Sequence, residues 1–177
     1  MQDLIALFHH RWSAPVLAEL LRQKGSRFAA LSGILGVGSD SLRRTLDSLL
    51  SLGLVGRNPG YGHPLRPEYV LTRRGERVAA RGRPLMDLLR GRGLEDVGLK
   101  KWSMPVVYAL SDDPLRFSEL RERLAGISPR ALTLALKELE AAGIVERRVT
   151  DDYPPATSYR LAADARRLAS LVGELAD

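Results

Sequence analysis

Arg130, Thr133, Leu134 and Lys137 are the residues of this chain whose types and spacing best suit recognition of another molecule, because one face of a helix would carry all four. Leu132, Leu136 and Leu139 fall on the opposite, core-facing side. Arginine can donate two parallel hydrogen bonds to guanine, and threonine can contact a thymine methyl or a phosphate. Earlier in the chain, Leu42, Leu46 and Leu49 set up the same inward face, which leaves Asp40, Ser41, Arg43, Arg44 and Asp47 outward. Asp40, Arg43, Arg44 and Asp47 align in turn with Arg130, Thr133, Leu134 and Lys137. An aspartate can only accept, from cytosine for example, and Asp40 also fits the simpler role of a charge at a helix N-terminus. Arg57, Arg147 and Arg148 follow at the starts of strand-like runs, where phosphate contacts would strengthen binding without specifying sequence. The chemistry expected is the reading of double-stranded DNA.

Other chemistry is thinly supplied. The chain has no cysteine, which excludes disulfides, thiolate metal sites and thiol redox sensing by its own residues. His9 and His10 are adjacent, so on a helix they point about 100° apart, and no acidic partner stands at ligand spacing. No Ser-His-Asp set, glycine-rich phosphate loop or convergent carboxylate pair is present, so the expectation is a protein that is not an enzyme and uses no cofactor or metal. No apolar run approaches the roughly 20 residues of a membrane span, and the N-terminus lacks a signal-peptide pattern. These features predict a soluble, cytoplasmic, nucleoid-associated protein.

The elements that would position the reading residues occur twice. Arg11-Trp12-Ser13-Ala14-Pro15-Val16-Leu17 returns as Lys101-Trp102-Ser103-Met104-Pro105-Val106-Val107. The echo continues through Arg27-Phe28 and Arg116-Phe117, through Gly53-Leu54-Val55 and Gly143-Ile144-Val145, and through Tyr69 and Tyr159. Ser39 aligns with Ser128 at a spacing of 89, and one inserted residue then restores the spacing of 90. In the second copy, helices are expected over 102–110 and 117–124. A third starts at Ser128-Pro129, where the serine can accept from an orphan backbone N–H and proline suits the first helical turn. Gly143 ends it as a left-handed cap. Ile144–Val149 and Ser158–Leu161 read as a strand hairpin, and a helix over 164–175 closes the copy. Three helices and a hairpin are the order of a winged helix-turn-helix, whose third helix enters the major groove, although other folds share that order. Trp12 and Trp102 are expected as core anchors.

Lys101-Trp102-Ser103, Arg116-Phe117-Ser118-Glu119-Leu120, Gly126-Ile127-Ser128-Pro129-Arg130-Ala131-Leu132-Thr133 and Leu136 through Arg147 together resemble the signature of the HxlR family of bacterial winged-helix transcriptional regulators. The first copy resembles it through Trp12, Arg27-Phe28, Gly53-Leu54-Val55, Pro64, Arg66-Pro67-Glu68-Tyr69 and Leu71-Thr72. The resemblance implies binding to DNA and regulation of transcription. It also implies a wing-tip role for Arg66, whose counterpart is Ala156 beside Asp151-Asp152. Family members are typically single-copy homodimers, many with a sensing cysteine, and this chain departs on both counts.

The resulting expectation is a mainly α (α+β) fold of two tandem winged helix-turn-helix domains, 1–92 and 93–177, arranged as an intramolecular pseudo-dimer with a junction near Gly91-Arg92-Gly93. Further dimerisation stays open. The resemblance implies that the segments holding Leu4, Ile5, Leu7, Phe8, Leu85, Met86, Leu88 and Leu89, with residues 164–175, pack the copies together, the alternative being that they complete each copy's own core. Pro84 is expected to kink or interrupt its helix. The net charge of +6 is unevenly placed: residues 1–93 hold 15 Lys and Arg against 7 Asp and Glu, residues 94–177 hold 12 against 14. Two such different reading helices predict an asymmetric two-part DNA site, the readers about one DNA turn, roughly 34 Å, apart. A protein–protein interaction module in a transcription or chromatin assembly is the alternative, and the acidic second copy suits it.

Overall fold

The computed structural model describes residues 1–58, 68–149 and 157–176. The chain packs as two compact units, one of His10–Asp87 and one of Met1–His9 together with Leu88–Asp177. A short helix, α1 (Gln2–Leu7), opens the chain.

The unit His10–Asp87 contains α2 (Ser13–Gln23), β1 (Ser26–Arg27), α3 (Phe28–Leu35), α4 (Ser39–Ser51), β2 (Val55–Asn58), β3 (Glu68–Leu71) and the first part of α5 (Arg73–Gly91). Leu42, Leu46 and Leu49 bury the inner face of α4, as their spacing predicts. Thr45 is buried among them, and its hydroxyl donates to the Ser41 carbonyl at 2.8 Å, which satisfies the polar group inside the core. Gly53, at φ 66°, turns the chain out of α4 while the N–H of Leu54 donates back to Leu49. Thr72 then starts α5. Its hydroxyl accepts from the N–H of Gly75 at 3.0 Å and donates to the Gly53 carbonyl at 2.7 Å. Gly75 is required by close approach, since a Cβ there would lie 1.8 Å from the Leu54 carbonyl oxygen. Within α2, Glu19 is buried and accepts from Arg22 at 2.6 and 3.0 Å and from Gln23. The hydrogen bonds from Arg22 hold its carboxyl below the ordinary glutamate value, against the opposing pull of burial.

The second unit adds α6 (Glu95–Gly98), α7 (Ser103–Ala109), β4 (Leu115–Arg116), α8 (Phe117–Arg123), α9 (Pro129–Ala141), β5 (Val145–Val149), β6 (Thr157–Leu161), a 3-10 turn (Ala163–Ala165) and α10 (Arg166–Ala176). Helix α1 packs against α7 and α10 and buries Leu4, Leu7 and Phe8. The start of α9 follows its sequence closely: Ser128 Oγ accepts from the Ala131 N–H at 3.2 Å, and Pro129 occupies the first turn. Ala162 stands where the first copy has Thr72 and has no hydroxyl to cap a helix; there the chain makes a 3-10 turn before α10.

Four expectations need correction. Each sheet has three strands, not two: β1 and β4 pair antiparallel with β3 and β6, giving the orders β1-β3-β2 and β4-β6-β5. Pro84 does not interrupt its helix, because α5 continues through it to Gly91. Both tryptophans are half-buried and sit beside cations, Arg11 at 5.8 Å from one ring centre and Lys101 at 5.0 Å from the other. The structural counterpart of Ser128 is Gly38, not Ser39: Gly38 caps α4 and Ser39 is already helical. The one-residue offset therefore lies in the turn before these helices, between Leu35 and Val37 in one copy and Leu124 and Ile127 in the other.

Candidate nucleic-acid interface

Helices α3 and α4, and likewise α8 and α9, form a helix-turn-helix in each unit. Both second helices are 13 residues long and stand 90 positions apart throughout. Their outward faces can thus be compared residue by residue.

All of the expected reading residues are exposed. On α4 these are Asp40, Ser41, Arg43, Arg44 and Asp47, and on α9 Arg130, Thr133, Leu134 and Lys137. Positions 130, 134 and 137 follow one another at intervals of four and three, which places them in one row. No described acidic side chain forms an ion pair with Arg43, Arg44, Arg130 or Lys137. Thr133 donates its hydroxyl to the Pro129 carbonyl at 2.9 Å, so the hydroxyl is engaged by the helix itself. Leu134 is 56% exposed in the middle of this face.

The strands bring further cations. Arg57 lies on β2 opposite Tyr69, with its guanidinium 5.8 Å from that ring and 3.6 Å from the Asp47 carboxylate. It is thus a partnered arginine. In the second unit Arg147 lies on β5 opposite Tyr159, in the same register, but the counterpart of Asp47 is Lys137. One copy therefore sets a carboxylate against its strand arginine where the other has a second cation. Arg148 is exposed beside Arg147, opposite Ser158. Arg66, Ala156 and the pair Asp151-Asp152 lie outside the described residues.

Sequence reasoning missed the Asp47–Arg57 pair. Helical spacing shows that Asp47 points outward but says nothing of a strand ten residues later; the charge reversal between the aligned positions 47 and 137 was the available signal. It also missed the apolar exposure of Val149 at the end of β5.

Two reading-length helices, each held by a preceding short helix and flanked by an antiparallel sheet, define a winged helix-turn-helix protein with two such units. The profile of the HxlR-like helix-turn-helix family matches residues 7–91 and again residues 97–177. The chain belongs to that family and carries its unit twice. An uncharacterised HTH-type transcriptional regulator of Halalkalibacterium halodurans is 38% identical over 78 residues, 44% of this chain and 69% of its own length. The HTH-type transcriptional regulator YodB of Bacillus subtilis is 36% identical over 76 residues, 43% of this chain and 68% of its own. The crystal structure of diamide-treated YodB is similar over 46% of this chain and 80% of that one, at 33% identity and a TM-score of 0.42. No helix among the described residues is long and apolar enough to cross a membrane.

Proposed function

We propose that this protein is a DNA-binding transcriptional regulator that reads an asymmetric two-part site, α4 in the major groove of one half and α9 in that of the other. One observation carries the reading: two helices of equal length and register expose different chemistry at every aligned position, Asp40 against Arg130, Arg43 against Thr133, Arg44 against Leu134 and Asp47 against Lys137. Arg130 and Arg44 are the base readers, through bidentate hydrogen bonds to guanine. Ser41, Arg43, Thr133, Leu134 and Lys137 complete the two faces. Arg57, Arg147, Arg148 and Arg66 contact the backbone, with Arg147 and Arg148 the stronger pair because Asp47 competes for Arg57. A single chain supplies both readers as a pseudo-dimer, and with no cysteine it works without thiol sensing. Membership of the HxlR-like family and the regulators among its relatives support this assignment.

Selection of sites from random duplex DNA, with the stoichiometry of the complex measured alongside, tests it. The expected product is a two-part sequence with unlike halves bound by one chain, its affinity falling steeply as salt rises. A perfect palindrome would remove the asymmetry, and failure to enrich any sequence would remove DNA reading itself.

A further inference from the structure

We infer that Leu134 recognises the 5-methyl group of a thymine, and that the base at the equivalent place in the other half-site is the guanine read by Arg44. The inference rests on the DNA-reading function proposed above and specifies what one position of it reads. An exposed leucine alone says little, because folded proteins expose much apolar surface. Its neighbours give it meaning here. Leu134 stands on α9 four residues after Arg130 and three before Lys137, so the cations that would hold α9 on a polyanion flank it on the same row. The adjoining Thr133 spends its hydroxyl proton on the Pro129 carbonyl, which leaves no free side-chain hydrogen-bond donor on this face between Arg130 and Lys137.

An apolar patch inside a cationic face has one favourable target in the major groove. Guanine, adenine and cytosine offer donors and acceptors there, and thymine alone offers a methyl group. Leucine pressed on a donor or acceptor would strip its water and give no hydrogen bond in return, whereas on thymine it covers carbon with carbon. Side chains three to four residues apart on a groove-reading helix meet successive bases, so the thymine falls about one step from the base met by Arg130. Helix α4 presents the exposed Arg44 at the matching position, suited to guanine instead.

The test uses the selected duplex and the full chain. Each thymine of the half-site bound by α9 is replaced in turn by deoxyuridine, which removes only the methyl group. One replacement is expected to weaken binding about fourfold, the factor corresponding to about 0.8 kcal/mol for one buried methyl-sized group. Leu134→Ala should abolish that sensitivity, and Thr133→Ser, which keeps the hydroxyl, should retain it. Leu134→Arg should move the preference at that base pair from thymine towards guanine. Sequence-specific binding in which no thymine responds, or a response that survives Leu134→Ala, overturns this inference and leaves DNA reading intact. If the native chain selects no sequence at all, the underlying function falls instead.

Discussion

Helices α4 and α9 are the same scaffold under different surfaces. Both bury leucines at three aligned positions, and both end at a glycine with φ near 70°, Gly53 at 66° and Gly143 at 69°. The polar face has diverged at every aligned reading position, including the exchange of Asp47 for Lys137. Packing accounts for the contrast. A buried leucine touches neighbours on all sides, and its loss costs about 2 to 5 kcal/mol, while an outward side chain costs the fold almost nothing to replace. Duplication within one chain thus lets the reading face drift while the core is held. A homodimer, whose two reading helices share one sequence, has no such freedom.

The largest difference between the copies should appear at the first turn after the sheet. Gly75→Ala forces a methyl group against the Leu54 carbonyl and should destabilise its unit by about 3 kcal/mol, whereas Ala165→Gly at the matching position should cost about 1 kcal/mol. Urea unfolding of the two variants checks this, and equal losses would mean that the copies begin their last helices alike after all.

In DNA binding, Arg130→Ala should cost about 1 to 3 kcal/mol and relax preference at a single base pair. Asp40→Ala, at the same place on α4, should cost nothing, and isotherms over single-base variants of the site would show whether the two positions differ in this way.

A smaller contrast lies at the caps. Ser128→Ala should destabilise α9 by about 1 kcal/mol, whereas Gly38→Ser, which supplies the missing side-chain cap to α4, should stabilise by a few tenths. Thermal unfolding would detect both, and a stabilising Ser128→Ala would refute the capping argument.

Least in energy is the surface pair of Asp47 and Arg57, worth under about 1 kcal/mol to the fold because both groups are exposed. Its effect on binding should still be measurable. Asp47→Asn frees Arg57 and should steepen the dependence of log affinity on log salt by about one, while Lys137→Ala should flatten it by about one. Slopes unmoved by either change would separate these residues from the phosphates.

Much of this architecture was legible in the sequence because the features involved are local. Ser128-Pro129 and Gly143 bracket α9, and the leucine period fixes which face is buried, so the exposure of Arg130, Thr133, Leu134 and Lys137 followed directly. Strands β1 and β4 left no such mark, since two residues cannot show an alternating pattern and are strands only by virtue of the partner they pair with. Ser39 misled for a related reason: it resembles Ser128 in type, but the shorter turn after Leu35 places it one step inside the helix. The Asp47–Arg57 pair depends on tertiary placement of a helix beside a strand, which no local period encodes.

Those two-residue strands also carry a mechanical consequence. β3 is the central strand, paired on one side with β2 and on the other with β1, and β1 runs directly into α3, which supports α4. Ser26 and Arg27 therefore tie the strand that pairs with Arg57 to the start of the helix pair. On the proposed DNA-reading function, a backbone contact at Arg57 and the seating of α4 would then be coupled through one short strand.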